Sequence, residues 1–199
     1  MKLAQILGRL LLGSLVALPV GLGAVPDRSG NWSIAPAQAV QLADGTTQFV
    51  DLPRLIKTSS SQNYIYAYNA RHYLTLTLPE GATESLGSVV VQQREGSDRD
   101  WRYDLDRLRV FSDLDRDRVQ LWPMTPRFDR DTHSLTLNFD PPIPPGTTFT
   151  IALTPRHNPA YEGIYLWGVT AFPAGEEPVG RFLGYGRFHF YRPDRRWGW

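Results

Sequence analysis

The chain has 199 residues, 42% hydrophobic and 12% aromatic, and its 21 basic and 20 acidic side chains leave a formal charge of +1. That balance provides no long-range field to gather nucleic acid or an anionic membrane, so a nucleic-acid role is disfavoured. With no cysteine in the chain, zinc-ribbon, iron–sulfur, thiol-redox and cysteine-nucleophile chemistry are excluded, and so is a lipid-modified N-terminal cysteine.

At the N-terminus, Lys2 and Arg9 precede a leucine-rich run, residues 10–25, which Gly13, Pro19, Gly21 and Gly23 interrupt. The run is too short for a comfortable membrane span and is expected to be a signal-peptide helix. Small residues at Ala35-Pro36-Ala37 and Ala37-Gln38-Ala39 offer cleavage sites, of which cleavage after Ala39 is preferred. The spacer before Ala39 is longer than in most signals, which keeps an uncleaved N-terminal anchor as the alternative. Cleavage removes Lys2, Arg9, Arg28 and Asp27, so the mature charge becomes −1 and Lys57 is left as the single lysine. The expected location is the periplasm, the cell envelope or the extracellular space, with no stable transmembrane span after cleavage.

In the mature chain, Asp44-Gly45 predicts a hairpin turn within residues 40–50. Residues 73–78 alternate strictly, with Leu74, Leu76 and Leu78 on one face and threonines on the other, as in a half-buried strand. Val89-Val90-Val91 opens the next strand. Residues 94–120 mix acids and arginines around Trp101, Tyr103, Leu105, Leu108 and Phe111. Neither period dominates there, and an irregular segment with one helical turn is expected. Leu135, Leu137 and Phe139, then Phe149, Ile151 and Leu153, alternate inward on two strands. A hairpin through the proline-rich 141–146 is expected to join them.

In residues 163–172, Ile164, Leu166 and Phe172 point one way and Tyr165, Trp167 and Val169 the other, so both faces are apolar. One reading is a central strand covered on both sides, by the opposing sheet and by proline-rich loops. The other is an exposed Tyr165/Trp167 platform on which a sugar ring or a partner's side chains stack, with Arg181 and Arg187 adding hydrogen bonds to an acidic polymer. These four are the candidate ligand-binding residues. Residues 192–199, with Arg195, Arg196, Trp197 and Trp199, read as a flexible tail.

The phrases FDPPIPPGTTFTIALTPRHNP (139–159) and GIYLWGVTAFPAGEEPVGRFLGYGRFHFY (163–191), with QREG (93–96) and YDL (103–105) upstream, resemble an uncharacterised cyanobacterial family of exported proteins, a domain of unknown function. The resemblance implies an envelope or extracellular location and a compact β-rich domain. It brings no catalytic or ligand residues with it.

Motifs that carry chemistry are scarce. Asp113, Asp115 and Asp117 are spaced like the start of a calcium loop, but Arg118 stands where that loop needs glycine and Met124 where it needs glutamate. A solvated, self-paired charged surface is the preferred reading. His72, His133, His157 and His189 form no metal-binding pair by spacing. No nucleophile elbow, phosphate loop or zinc-protease helix occurs, and Gly184-Tyr185-Gly186 precedes a strand rather than a helix. Glu176-Glu177 is one of many acidic pairs whose separation in space would decide its meaning.

The expected architecture is all-β: one antiparallel β-sandwich of about seven to nine short strands with at most a short helical turn, spanning 40–191 after a 1–39 leader. No cofactor is expected. The leading functional expectation is a non-enzymatic envelope protein that binds a polysaccharide or protein partner through an aromatic surface. The alternatives are a secreted glycan hydrolase with two carboxylates and a purely structural envelope accessory.

Overall fold

The structure, a computed structural model, describes residues 45–99, 102–115 and 118–193, and of residues 113–115 and 118–120 the backbone alone. The expected leader, the cleavage position after Ala39, the side chains of the Asp113/Asp115/Asp117 series and most of the expected tail lie outside the described residues.

In chain order the strands are β1 (Arg54–Ser60), β2 (His72–Thr77), β3 (Leu86–Glu95), β4 (Arg109–Asp115), β5 (Arg118–Leu121), β6 (Met124–Asp129), β7 (Ser134–Ile143), β8 (Thr148–Leu153), β9 (Gly163–Pro173) and β10 (Arg181–Phe190). They form two antiparallel sheets of five, β1-β2-β8-β4-β5 and β10-β9-β3-β7-β6, with a single 3-10 turn among the described residues, at Leu105–Arg107. The all-β sandwich follows from the alternation. Leu74 and Leu76 of β2, with Leu78 just beyond, face Leu135, Leu137, Val89 and Val91 of the other sheet in one core, all at most 1% exposed. Their neighbours point outward. On that side Thr75 and Thr150 share a hydroxyl hydrogen bond of 3.0 Å, and Thr148 donates to Thr77 at 2.9 Å.

Two expectations are corrected, those for the β7–β8 connection and for residues 109–121, while the first arm of the hairpin expected within 40–50 lies outside the described residues. Strands β7 and β8 are not a hairpin, because the chain changes sheets between them. Phe139 and Phe149 meet edge to face across the core with ring centroids 6.1 Å apart. Alternation reveals which side of a strand is buried, but two consecutive strands satisfy it equally as bonded neighbours or as facing layers. The prolines between them, which have no N–H to offer a ladder, favour the corner. Residues 45–50 form no hairpin strand among the described residues. Thr47 instead makes an isolated parallel bridge to Pro178 and buries Phe49 two residues on. Residues 109–121, expected to be irregular, form the β4–β5 hairpin. Val110 faces the core there while Arg109 and Phe111 face out, so Phe111 shares no helix face with Leu105 and Leu108.

Strand β10 also meets the first sheet closely. Gly186 faces inward, and a Cβ built on it would lie 2.8 Å from Leu74 Cδ2 and 3.2 Å from Thr58 Cγ2. Only glycine lets β10 approach this closely. The Thr58 hydroxyl donates to the Arg187 carbonyl at 3.4 Å across the same seam.

Candidate functional site

Strand β9 lies between β10 and β3, and its two apolar faces divide as the sequence predicts, but the Tyr165/Trp167 platform is not exposed. Tyr165 is 0% and Trp167 1% exposed. Register explains it: Tyr165 stands opposite Phe188 and Trp167 opposite Gly186, on the side of the sheet that faces the core. Trp167 packs edge to face on Phe188 at 4.8 Å, and Tyr165 does the same on Phe190 at 5.4 Å. Gly96, the last residue of the QREG phrase, lies at φ +133° against the Tyr165 ring, where a Cβ would come within 2.1 Å of it. The outward face carries Ile164, Leu166 and Phe172 instead.

Nor do the two arginines join the pair. Arg187 is exposed on the outer face opposite Leu166, while Arg181 lies toward the other end of β9, opposite Ala171, and its Nη2 donates to Gln48 Oε1. Glu176 and Glu177 are exposed in the turn between β9 and β10.

The polar tip of Tyr165 is used internally. Its hydroxyl donates to the Tyr161 carbonyl at 3.0 Å and accepts the Asp98 N–H at 3.3 Å, while Asp98 Oδ2 accepts the Ala160 N–H at 2.8 Å. These bonds tie the 96–98 turn to the loop between β8 and β9. That loop belongs to an aromatic surface at one end of the sandwich.

Five tyrosines are exposed at this end: Tyr64 (55%), Tyr66 (56%) and Tyr68 (71%) from the β1–β2 loop, Tyr161 (61%) from the β8–β9 loop, and Tyr191 (48%) just after β10. The Tyr-Ile-Tyr-Ala-Tyr run alternates as a strand would. It does not form one, because Tyr66 and Asn69 take left-handed conformations at φ +57° and +59°. Its backbone is instead bonded to the neighbouring segments. The Ile65 N–H donates to the Tyr191 carbonyl at 2.9 Å, the Tyr191 N–H to Asn63 at 2.8 Å and the Tyr66 N–H to Pro159 at 3.1 Å.

Asn158, fully buried, is the hub beneath the loop. Its side-chain amide donates to the carbonyls of Gln62 at 2.9 Å and Tyr64 at 2.8 Å, and its backbone N–H donates to Ala67 at 2.8 Å. Those two amide donations orient Oδ1 toward His72 Nε2 at 3.0 Å, so Nε2 carries the proton. His72 is 1% exposed and packs edge to face on Phe188 and Phe190 at 5.0 and 5.4 Å. Burial lowers its pKa from 6.5 to about 4, against a smaller upward pull from Asn158. The imidazole is neutral at pH 7.

The surface is therefore a set of rings on a fixed backbone. His157 lies between Tyr66 and Tyr68, with ring centroids 6.5 and 6.1 Å away, and His189 contacts Tyr191 at 4.1 Å. Beside them a groove of about 720 Å³ is lined by Gln62, Asn63, Tyr64, Tyr191 and Arg192, among others, and Arg192 pairs with Glu162 at 3.7 Å. Phenols over amide and hydroxyl groups suit stacking and hydrogen bonding to a sugar or a protein side chain. Among the described residues no group of three or more histidines or carboxylates is placed to hold a metal. Sequence reading missed this surface, although three tyrosines within five residues were its visible signal.

Residues 46–190 match the family model described as "Protein of unknown function (DUF2808)". No curated protein matches the chain in sequence. Among solved structures the chain is similar to the collagen-binding domain from a Staphylococcus aureus adhesin, at 10% identity over 67% of this chain and 100% of that one, with TM-score 0.36. It is similar also to the collagen-binding subdomain of the Enterococcus faecalis surface protein ACE, at 9% identity over 66% of this chain and 95% of that one, with TM-score 0.41. An uncharacterized Nocardia farcinica protein with an immunoglobulin-like fold is a third, at 10% identity over 72% of this chain and 97% of that one, with TM-score 0.34.

Proposed function

The chain belongs to the DUF2808 family of unknown function, and from that premise we propose that it is a non-enzymatic protein of the cell envelope that binds a glycan or protein partner through its tyrosine-rich end. The observation that carries this reading is the set of five exposed tyrosines on loops that the buried Asn158–His72 pair holds in place. Solvent-facing aromatics on a rigid backbone lose little conformational freedom on binding, which is how recognition loops gain affinity. Export rests on the leader pattern in residues 1–39 with cleavage after Ala39, and on the motif resemblance to exported cyanobacterial proteins. No helix among the described residues is long and apolar enough to cross a membrane.

The test is binding of the purified chain to isolated cell-wall, exopolysaccharide and envelope-protein fractions, beside a Tyr64→Ser/Tyr68→Ser variant shown by circular dichroism to be folded. Saturable binding that the folded variant loses is the expected result, and the fraction bound assigns the partner's class. A wild-type chain that binds none of the fractions, or a variant that binds as well as wild type, overturns the reading.

A further inference from the structure

A second groove lies on the outer face of the β1-β2-β8-β4-β5 sheet, next to the loop that carries Tyr64, Tyr66 and Tyr68. Its volume is about 380 Å³, and Arg71, Tyr73, Arg107, Arg109, Phe111 and Ala152 line it. Register makes it. Tyr73 of β2 and Arg109 of β4 both stand opposite Ala152 of β8, one on each side. A methyl group between two long side chains leaves a trough, with walls about 10 Å apart at two strand spacings. Phe111, opposite Thr150, and Leu121, 61% exposed, continue the apolar lining along the same face.

Two of the three guanidinium groups are held by neutral acceptors among the described residues. Arg107 Nη1 donates to Asn69 Oδ1 at 3.1 Å, and Arg109 Nη1 to the carbonyls of Asp106 at 2.8 Å and Leu108 at 2.6 Å. The two ion pairs among the described residues, Arg54–Asp51 and Arg192–Glu162, involve none of them. The self-paired charged surface expected for Asp113 to Arg118 lies outside the described side chains and does not bear on Arg107 and Arg109. Three charges converge on one face of a chain whose formal charge is +1.

We propose that this groove binds an acidic polysaccharide, with Arg71, Arg107 and Arg109 taking carboxylates along the chain and Tyr73 and Phe111 taking its sugar rings. A guanidinium with open N–H donors presents a planar fork that matches a carboxylate in bidentate geometry. Aromatic walls stack on the apolar faces of pyranose rings, and the volume suits a ring-sized group. A free small anion would leave the aromatic lining unused. A repeating uronate occupies charge and lining together. None of the five exposed tyrosines lines it, although Arg71 and Asn69, the partner of Arg107, belong to the loop that carries three of them.

The probe is polygalacturonate, titrated against the purified full chain, with neutral dextran and poly-L-glutamate as controls. Binding of polygalacturonate with none of dextran is expected, weakening as salt is raised. Arg71→Gln and Arg109→Gln should each cost about tenfold in affinity, and Arg109→Lys, which keeps the charge but not the fork, should recover only part of it. The Tyr64→Ser/Tyr68→Ser variant should bind polygalacturonate as wild type does. The proposal is overturned if the arginine variants, with unchanged circular dichroism, bind as tightly as wild type, or if the tyrosine variant loses the binding. It is overturned equally if poly-L-glutamate binds as well as polygalacturonate, which would make the groove a site for acidic peptides, or if polygalacturonate does not bind.

Discussion

In β9 the aromatic side chains Tyr165 and Trp167 face the core among Phe188, Phe190 and His72, whereas in the β1–β2 loop Tyr64, Tyr66 and Tyr68 face water. The difference follows the position of the polar tie. Tyr165 is anchored at its tip, where the hydroxyl spans Asp98 and Tyr161, so the ring must lie inside to reach them. The loop tyrosines are anchored through their backbone, by Asn158 and the Tyr191 carbonyl, so the rings are left over and displayed. The buried set also supports the exposed one. Tyr165 holds the carbonyl of Tyr161, and His72, stacked with Trp167 at 6.4 Å, holds Asn158.

The most severe way to break this relation is Trp167→Ala. Truncating a fully buried tryptophan removes its transfer free energy and leaves a cavity between two sheets that cannot close over it, at a cost of about 3–5 kcal/mol. Domains of this size hold about 5–15 kcal/mol, so urea unfolding should show a midpoint shifted far down or lost. A loss below about 1 kcal/mol would mean that the ring is not part of the core.

Acidification tests the link between the two sets. In the unfolded chain His72 takes up its proton near pH 6.5, while in the fold burial defers this to about pH 4. Between those values the unfolded state binds more protons, so stability rises with pH: it is complete above 6.5 and falls as pH drops toward 4. The loss should reach about 3 kcal/mol by pH 4. Urea midpoints of wild type should therefore fall between pH 7 and 4.5, and those of His72→Gln, which has no such proton to gain, should fall less. Equal declines in the two proteins would assign the pH dependence to other groups.

The all-β class and the inward residues were legible because alternation along a strand reports burial directly, as Leu74, Leu76 and Leu78 show. Pairing was less legible. Nothing in the β7 and β8 patterns separates a hairpin from two facing layers, and the Asp/Arg segment hid the β4–β5 hairpin because neither a helical nor a strand period dominates its sequence. The site was misread for a related reason. Two apolar faces on β9 said that both were covered or one was displayed, and only the register opposite Phe188 and Gly186 decides it. The tyrosine end depends on Asn158, which reaches carbonyls 94 and 96 residues away, a convergence no local pattern encodes.

The smallest change is at Tyr66, and it sharpens the contrast most. Its φ of +57° costs a residue with a Cβ about 1 kcal/mol, a cost glycine does not incur, and its ring is more than half exposed and so returns little by burial. Tyr66→Gly should leave stability unchanged or raise it by up to about 1 kcal/mol, the relief of strain being set against the greater freedom of glycine in the unfolded chain. Partner binding should weaken in the same variant. Thermal unfolding beside the envelope-fraction assay measures both effects. A drop of more than about 1 kcal/mol would show that the ring supports the fold, and the distinction between anchored and displayed tyrosines would fail at this residue. The expected pair of outcomes, equal or greater stability with weaker binding, is what separates a ring kept for contact from one kept for packing, since a tyrosine held in a glycine-like conformation on the surface has no structural role that glycine would not fill as well.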